Sequence, residues 1–240
     1  MGQYWQVINL DKRQTLGHWG KLGECLFDGL PSTLIPLLRQ DVTNSSAIPP
    51  EKTWAADRII CLGDYHKDLP AGLLTTSEQE ELKKAGDEED GMQLYSFAYD
   101  QYKYTSGYDR FEPNDQNLVL RNLSKHEYVR EEAINVDSFV KWGDPTGEIG
   151  LGQVVLSRIC WSTDHSRAMR YEGDIHRGVW AGDRFDIITI DQFKLVDGEK
   201  EWKDVSDEVA KEVTEIWGSE YGEKWLEYKV SAITSVVNRF

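Results

Sequence analysis

The sequence predicts an α+β fold: a mixed or antiparallel sheet with flanking helices, carrying the mark of an internal duplication. Three observations support this. Strand-like and helix-like segments are interspersed without the regular alternation that dictates a parallel sheet. Several strand-like runs, Arg58 to Leu62 (RIICL) above all, are continuously apolar, as suits strands covered on both faces. A phrase of six residues, Trp-Ala-x-Asp-Arg followed by an apolar residue, occurs at 54–59 and again at 180–185, each time ahead of such a run.

The elements follow in order. Gln3 to Leu10 (QYWQVINL) is rich in β-branched and aromatic residues and ends at the turn-prone Asn9-Leu10-Asp11, so it predicts a strand. Gly17 to Gly29 holds glycines at 17, 20, 23 and 29 and predicts a shaped loop. Ser32 to Gln40 predicts a short helix despite Pro36, and Gln40 to Thr53, with Pro49-Pro50, a surface loop. The Arg58–Leu62 strand stops at Gly63-Asp64. Ser77 with Glu80 forms a capping-box pattern before a polar helix that stops near Gly86. Asp87 to Asp90 reads as a solvated acidic loop. Leu94, Phe97, Ala98 and Tyr102 recur at helical spacing, predicting a helix over 92–102. Thr105 to Asn117 reads as loop and Leu118 to Leu123 (LVLRNL) as a strand; Ser124 and Glu127 repeat the capping-box pattern. Lys141 to Gly152 reads as a long connection. Gln153 to Trp161 and Val179 to Ile190 predict two further strands around a polar segment. Ser206 opens the clearest helix, with Asp207 and Glu208 in its first turn, Val209, Val213, Ile216 and Trp217 on one face, and Gly218 or Gly222 as its end. Lys224 to Phe240 fits helix or strand.

Composition bounds the rest. The chain has 240 residues, read as a single domain, 1–240, with pseudo-repeat halves 1–115 and 116–240; splits near 113–117 or 143–150 are the alternatives. With 27 basic and 42 acidic residues the net charge is −15, a field that repels nucleic-acid phosphates and anionic membrane surfaces. A hydrophobic fraction of 40% argues against a disordered chain. No apolar run approaches the roughly 18 residues of a membrane helix. The start lacks a basic n-region, and Gln6 stands where a myristoylation motif wants Ser or Thr. Cys25, Cys61 and Cys160 are odd in number and widely spaced, predicting buried thiols in a reducing, cytoplasmic compartment.

The repeated phrase admits two readings. Residues 54–59 are Trp-Ala-Ala-Asp-Arg-Ile and residues 180–185 are Trp-Ala-Gly-Asp-Arg-Phe; Ser157-Arg158-Ile159-Cys160 also echoes Arg58-Ile59-Ile60-Cys61. In the structural reading Asp accepts loop N–H groups, Arg forks onto oxygens and Trp covers a core end. In the binding reading Trp54, Asp57, Arg58, Trp180, Asp183 and Arg184 present a flat apolar face with directed polar contacts to a sugar or another polar ring. A duplication that kept its fold places both Asp-Arg pairs at equivalent positions of one sheet.

The opening MGQYWQVINLDKR with Gly20-Lys21-Leu22-Gly23-Glu24, then WAADRIICLGDY at 54–65, LRNLSKHEYVR at 120–130 and the SRICWSTDHS…GDIHRGVWAGDRFDI block at 157–187 resemble a family of uncharacterised fungal proteins abundant in basidiomycetes. Shorter bacterial proteins resemble the opening and the WAGDR-GDY block. The resemblance spans nearly the whole chain. It implies a fungal, cytosolic protein and brings no activity with it. Ala56 stands where the family commonly has Gly; if that position needs positive φ, Ala56 is strained.

Candidate chemistry is sparse. His18, His66, His126, His165 and His176 form no HExxH pair. Gly63-Asp64-Tyr65-His66 and Gly173-Asp174-Ile175-His176 share a Gly-Asp-x-His pattern, so Asp64, His66, Asp174 and His176 are the candidate catalytic residues. No metal site and no cofactor is predicted, since no P-loop or dinucleotide fingerprint is present. Ser162, Asp164 and His165 in WSTDHS are close in sequence, but a triad is defined in space. Of nine tryptophans, Trp5, Trp54, Trp180 and Trp217 sit where cores form, while Trp19, Trp142 and Trp161 border polar stretches and are candidates for an exposed platform. The reading adopted is a cytosolic binding or interaction protein for a sugar, another small polar molecule or a basic protein partner. The alternative is a hydrolase or other enzyme with an Asp/His site, with or without the assistance of a metal, and a third reading is an assembly subunit; the oligomeric state is left open.

Overall fold

The computed structural model describes residues 2–27, 29–40, 53–86, 91–106, 117–134, 149–166, 169–196 and 202–221. The chain is α+β, with two mixed sheets. β1 (Trp5–Asn9) and β2 (Gln14–Trp19) form an antiparallel hairpin in which Asn9 faces Gln14. α1 (Leu22–Phe27) and α2 (Leu30–Leu38) follow, and β3 (Ile59–Gly63) returns antiparallel along the other side of β1. After α3 (Thr76–Ala85) and α4 (Leu94–Gln101), the short β4 (Lys103–Tyr104) joins β2 in parallel.

The second sheet repeats this plan. β5 (Leu118–Asn122) and β6 (Glu127–Arg130) form a hairpin in which Asn122 faces Glu127. α5 (Glu131–Ile134) and α6 (Leu151–Ile159) follow; β7 (Cys160–Trp161) continues directly from α6. β8 (Phe185–Thr189) runs antiparallel along the other side of β5. α7 (Ile190–Val196) leads towards β9 (Lys203–Asp204), which joins β6 in parallel, and α8 (Ser206–Tyr221) closes the described chain. The strand orders are β4-β2-β1-β3-β7 and β8-β5-β6-β9.

The sheets do not divide cleanly between the halves of the chain. β7, from the second half, pairs in parallel with β3, and residues just after α2 pair with β8, Gln40 N–H donating to Ile187 O at 3.0 Å. One large core fills the space between the sheets. Trp5, Val7 and Cys61 from the first sheet and Leu120, Phe185 and Ile187 from the second pack on α1, α2, α6 and α8. Outside it, Ile8, Ile60 and Leu62 pack against Leu94 and Ala98 of α4, and Val119, Tyr128 and Ile188 against Phe193 of α7.

Several local readings need correction. Gly17–Gly29 is not a loop: Gly17 (φ 81°) lets β2 bend, and Leu22, Cys25 and Leu26 bury one side of α1. The capping box lies two residues earlier than the sequence suggests. Thr75 accepts the Glu78 amide and the Glu78 carboxylate accepts the Thr75 amide at 2.7 Å. Ser124 and Glu127 cap no helix; they belong to the turn and start of the second hairpin. Gln153–Trp161 is mostly helix. Leu151, Val154, Val155, Leu156 and Ile159 are buried on α6 together with Ser157 and Arg158, and the continuous apolar run Val154-Val155-Leu156 reads like a buried strand. Only Phe185–Thr189 of the Val179–Ile190 segment is strand, and α7 takes over at Ile190. α8 passes through Gly218 without stopping, its buried face being Val209, Val213, Ile216 and Trp217 as its periodicity requires. The acidic run at 87–90, the connection at 141–148 and the segment 224–240 lie outside the described residues.

The two Asp-Arg pairs stand at equivalent places, at the starts of β3 and β8, but in two sheets rather than one. An antiparallel bridge between Arg58 and Arg184 joins them. Both turns before these strands pass through the left-handed region, at Ala56 (φ 65°) and Gly182 (φ 85°). The strain anticipated for Ala56 is therefore present. A Cβ at Gly182 would also collide with the Leu73 side chain. Gly182→Ala should accordingly cost about 1–2 kcal/mol in urea unfolding. Ala56→Gly should leave stability within about 0.5 kcal/mol of the parent or raise it, because relief of strain offsets the added freedom of the unfolded chain.

Candidate functional site

Trp54 and Trp180 are fully buried, at 0% and 1% exposure. A buried indole N–H needs an acceptor, and each finds it on the first residue of the second hairpin strand: Trp54 donates to Gln14 Oε1 at 2.6 Å and Trp180 to Glu127 Oε2 at 2.9 Å. Asp57 Oδ2 accepts from Asn9 Nδ2 at 2.8 Å and pairs with Lys12; Asp183 Oδ2 accepts from Asn122 Nδ2 at 2.8 Å and pairs with Lys125 at 3.2 Å. Arg58 reaches Asp11 at 2.7 Å, Glu78 at 2.8 Å and Leu73 O at 2.7 Å. Arg184 reaches the same Asp11 at 2.7 Å and the Ala56 carbonyl. Asp11 thus joins both arginines where the two turns meet.

The six residues expected to bind a ligand are brought together in space, but their polar atoms are spent on one another and on the hairpin turns. Neither indole offers an open face. The electrostatics agree with a clamp. Burial works to raise the Asp11 and Glu78 carboxyls, and the Arg58 guanidinium overrides it and holds both below the ordinary range. The Arg58 pKa is raised in turn, first through its hydrogen bond to Glu78.

The Gly-Asp-x-His residues gather loosely near the ends of the parallel pair β3 and β7. His66 is buried, with Nδ1 2.8 Å from Gly63 O; the carbonyl accepts, so Nδ1 carries the proton and Nε2 holds the lone pair. Burial pushes the His66 pKa down, against the pull of that hydrogen bond and of Asp68 and Asp64. Asp64 accepts the Tyr4 amide at 2.9 Å, and burial raises its pKa. The His176 carbonyl accepts the Ser162 amide at 2.8 Å, while Asp174 is exposed. Ser162 Oγ donates to Gln3 Oε1 at 2.8 Å, Gln3 Nε2 donates to the Asp164 and Ser166 carbonyls, and Asp164 accepts the Ser166 amide, so WSTDHS is held by Gln3 and by local hydrogen bonds. Among the described residues no group of three or more His, Cys, Asp or Glu is placed to hold a metal ion. Cys61 and Cys160 face each other across β3 and β7, both buried, and burial lifts the Cys61 thiol well above its ordinary value, which disfavours the thiolate a nucleophile needs.

The surface with unspent aromatic faces lies elsewhere. Tyr4, Tyr99 and Tyr104 are 52%, 54% and 63% exposed. His18 sits between two of them, its ring 5.7 Å from Tyr4 and 5.3 Å from Tyr99. Tyr104 lies on the backbone at Gly17, where a Cβ would stand 3.3 Å from its ring. Tyr95 is one turn before Tyr99 on α4, and burial, then the charge of Asp64, push its phenol pKa up. Sequence reasoning missed this face because its members come from four separate segments. The one local signal is Tyr99, which points outward on a helix read from its apolar side. Of the tryptophans expected at a platform, Trp19 packs on the main core, Trp161 lies 4.2 Å beneath the Arg177 guanidinium and donates to Asp68 at 3.0 Å, and Trp142 lies outside the described residues.

Comparisons of the chain with protein-family models, with curated proteins and with solved structures return no match. Among the described residues no helix is long and apolar enough to cross a membrane.

The shifted groups set a pH dependence with a definite sign. A histidine whose folded pKa is depressed leaves the unfolded chain binding more protons, so its contribution is complete above about pH 6.5 and declines as pH falls below it. Carboxylates with depressed pKa, such as Asp11 and Glu78, contribute above about pH 4–5 and lose that contribution in stronger acid. Carboxyls with raised pKa, Asp64 and Glu212, act with the opposite sign and add stability as pH falls. The His66 contribution is therefore the difference between two proteins: in urea melts the parent should lose more stability than His66→Gln between about pH 7 and pH 5. An unchanged slope in His66→Gln would assign the decline to another group.

Proposed function

We propose that the chain is a cytosolic binding protein that takes a sugar or another small polar ring on the face formed by Tyr4, His18, Tyr99 and Tyr104. The observation that carries this reading is the row in which His18 stands between Tyr4 and Tyr99, with the tyrosines more than half exposed. Aromatic rings offer flat apolar surfaces to the C–H faces of a sugar, and phenol hydroxyls hydrogen-bond its hydroxyls. The Asp64 carboxylate, next to Tyr4 and felt by Tyr95, adds an acceptor at the rim. Buried thiols with no disulfide fit a reducing compartment.

The second sheet supplies an internal control. Tyr4 precedes β1 as Asn117 precedes β5; His18 faces Gln6 as Arg130 faces Val119; Tyr104 faces Thr15 as Asp204 faces Tyr128. In the second lobe these positions carry polar groups with structural tasks. Arg130 pairs with Glu132 at 2.7 Å, and Asp204 accepts the Ser206 amide at 2.9 Å. The plan of strands and turns therefore needs no aromatic there, and among the described residues the tyrosine face belongs to the first sheet.

The test is an NMR titration of the full chain with a panel of mono- and oligosaccharides, read on the His18 and tyrosine ring signals. The expected result is saturable shifts of those signals by at least one sugar. Tyr99→Ala should weaken that sugar about fivefold, the equivalent of about 1 kcal/mol. Shifts confined to other parts of the molecule, or none with any sugar, would overturn the reading.

A further inference from the structure

We infer that the chain is a fused pair of copies of one unit, a hairpin, a helix, a Trp-Ala-x-Asp-Arg turn and a returning strand, and that the surface each unit is built to meet is a second copy of itself. This stands independently of what binds to the tyrosine face. The phrase at 54–59 and 180–185 is only one part of the correspondence. The hairpin turns match as well: Asn9-Leu10-Asp11-Lys12-Arg13-Gln14 and Asn122-Leu123-Ser124-Lys125-His126-Glu127 share Asn, Leu and Lys in place. Each turn has positive φ at the same point, 52° at Arg13 and 54° at His126. Each asparagine accepts the amide of the lysine three residues on, and donates to the aspartate of its own Trp-Ala-x-Asp-Arg phrase. Each of those lysines reaches the carbonyl just before the tryptophan, at Thr53 and at Val179.

The contacts between the units are reciprocal, as they are in a two-fold dimer, where residue i meets j and j meets i. Ala56 N–H donates to Phe185 O at 2.7 Å, and Gly182 N–H donates to Ile59 O at 2.9 Å. Arg58 faces Arg184, the same position of both copies. α2 and α6 touch at their own second residues: a Cβ on Gly152 would collide with the Pro31 carbonyl. The segment after each helix crosses to the sheet of the other unit, Arg39 and Gln40 to β8 and β7 to β3. Self-matching contacts along a line from the helices to the Arg58–Arg184 bridge, with exchanged end segments, describe an isologous interface carried within one chain.

If the units are copies, equivalent residues are interchangeable in the full chain. The variant Ser124→Asp/His126→Arg/Glu127→Gln writes the first turn into the second place. It should stay folded and melt within about 3 °C of the parent. Its Arg184 amide, which donates to the Ser124 hydroxyl, should move towards the chemical shift of the Arg58 amide, which donates to the Asp11 carboxylate. Lys12→Asp and Lys125→Asp, which put a like charge beside Asp57 and Asp183, should each lower the melting temperature by more than about 5 °C and by similar amounts. The inference is overturned if the triple variant melts as low as Lys125→Asp or fails to fold, or if the Arg184 amide does not move.

Discussion

Two buried indole N–H groups and the two carboxylates beside them set the terms for the rest of the molecule. A polar group cut off from water without a partner costs about 1–3 kcal/mol, a large fraction of the roughly 5–15 kcal/mol that holds a domain together. Trp54 and Trp180 are satisfied by the first residue of β2 and of β6, where Gln14 and Glu127 present the acceptor, whereas the buried Trp5 and Trp217 indoles have none among the described residues. Asp57 and Asp183 fix the hairpin turns, since Asn9 and Asn122 must reach back to them. The amides of the same tryptophans donate to Leu37 O and Arg158 O at the ends of α2 and α6. Turn, strand and helix end are thus parts of one hydrogen-bonded network, formed twice.

Once that network is satisfied, the faces outside it are free to differ, and they do. The outer pair on β1 and β3 is Ile8 facing Ile60; the matching pair on β5 and β8 is Arg121 facing Asp186, joined by two hydrogen bonds of 2.7 Å. A buried ion pair gains little over well-packed apolar residues, because the attraction is largely offset by the loss of hydration. The same backbone arrangement accepts either solution. The Arg121 guanidinium also lies 5.2 Å from the Trp202 ring, whereas Ile8 packs into the aliphatic cluster with α4. The lobes share a frame and diverge in what covers it.

This division explains what the sequence revealed. β1, β3, β5 and α8 were legible because each has an uninterrupted apolar run or a clean helical stripe. α6 was not, since its run Val154-Val155-Leu156 looks like a covered strand and nine residues are too few for the helical period to decide. α1 was hidden by Gly20 and Gly23, which look like loop punctuation when counted. The second hairpin was misread as a cap because Ser124 and Glu127 have the capping-box spacing, and only the left-handed backbone at His126 separates a turn from a helix start. The repeated phrase was visible by letter identity, but its partner turn, with three identities in six, became recognisable only through shared hydrogen bonds.

A physical difference separates the tyrosine face from the tryptophan clamp. Trp, Asp and Arg adjacent in sequence look like ligand chemistry, yet the same three groups suit a buried clamp, and sequence cannot say whether their bonding capacity is already used. Here it is used: the Asp57 and Asp183 carboxylates accept from asparagine and lysine, and both indoles donate inward. A surface that binds must keep donors, acceptors and ring faces in reserve for its ligand. Tyr4, Tyr99 and Tyr104 keep theirs because the residue before β1, α4 and β4 carry them on the outside of the first sheet, where the core makes no demand on them.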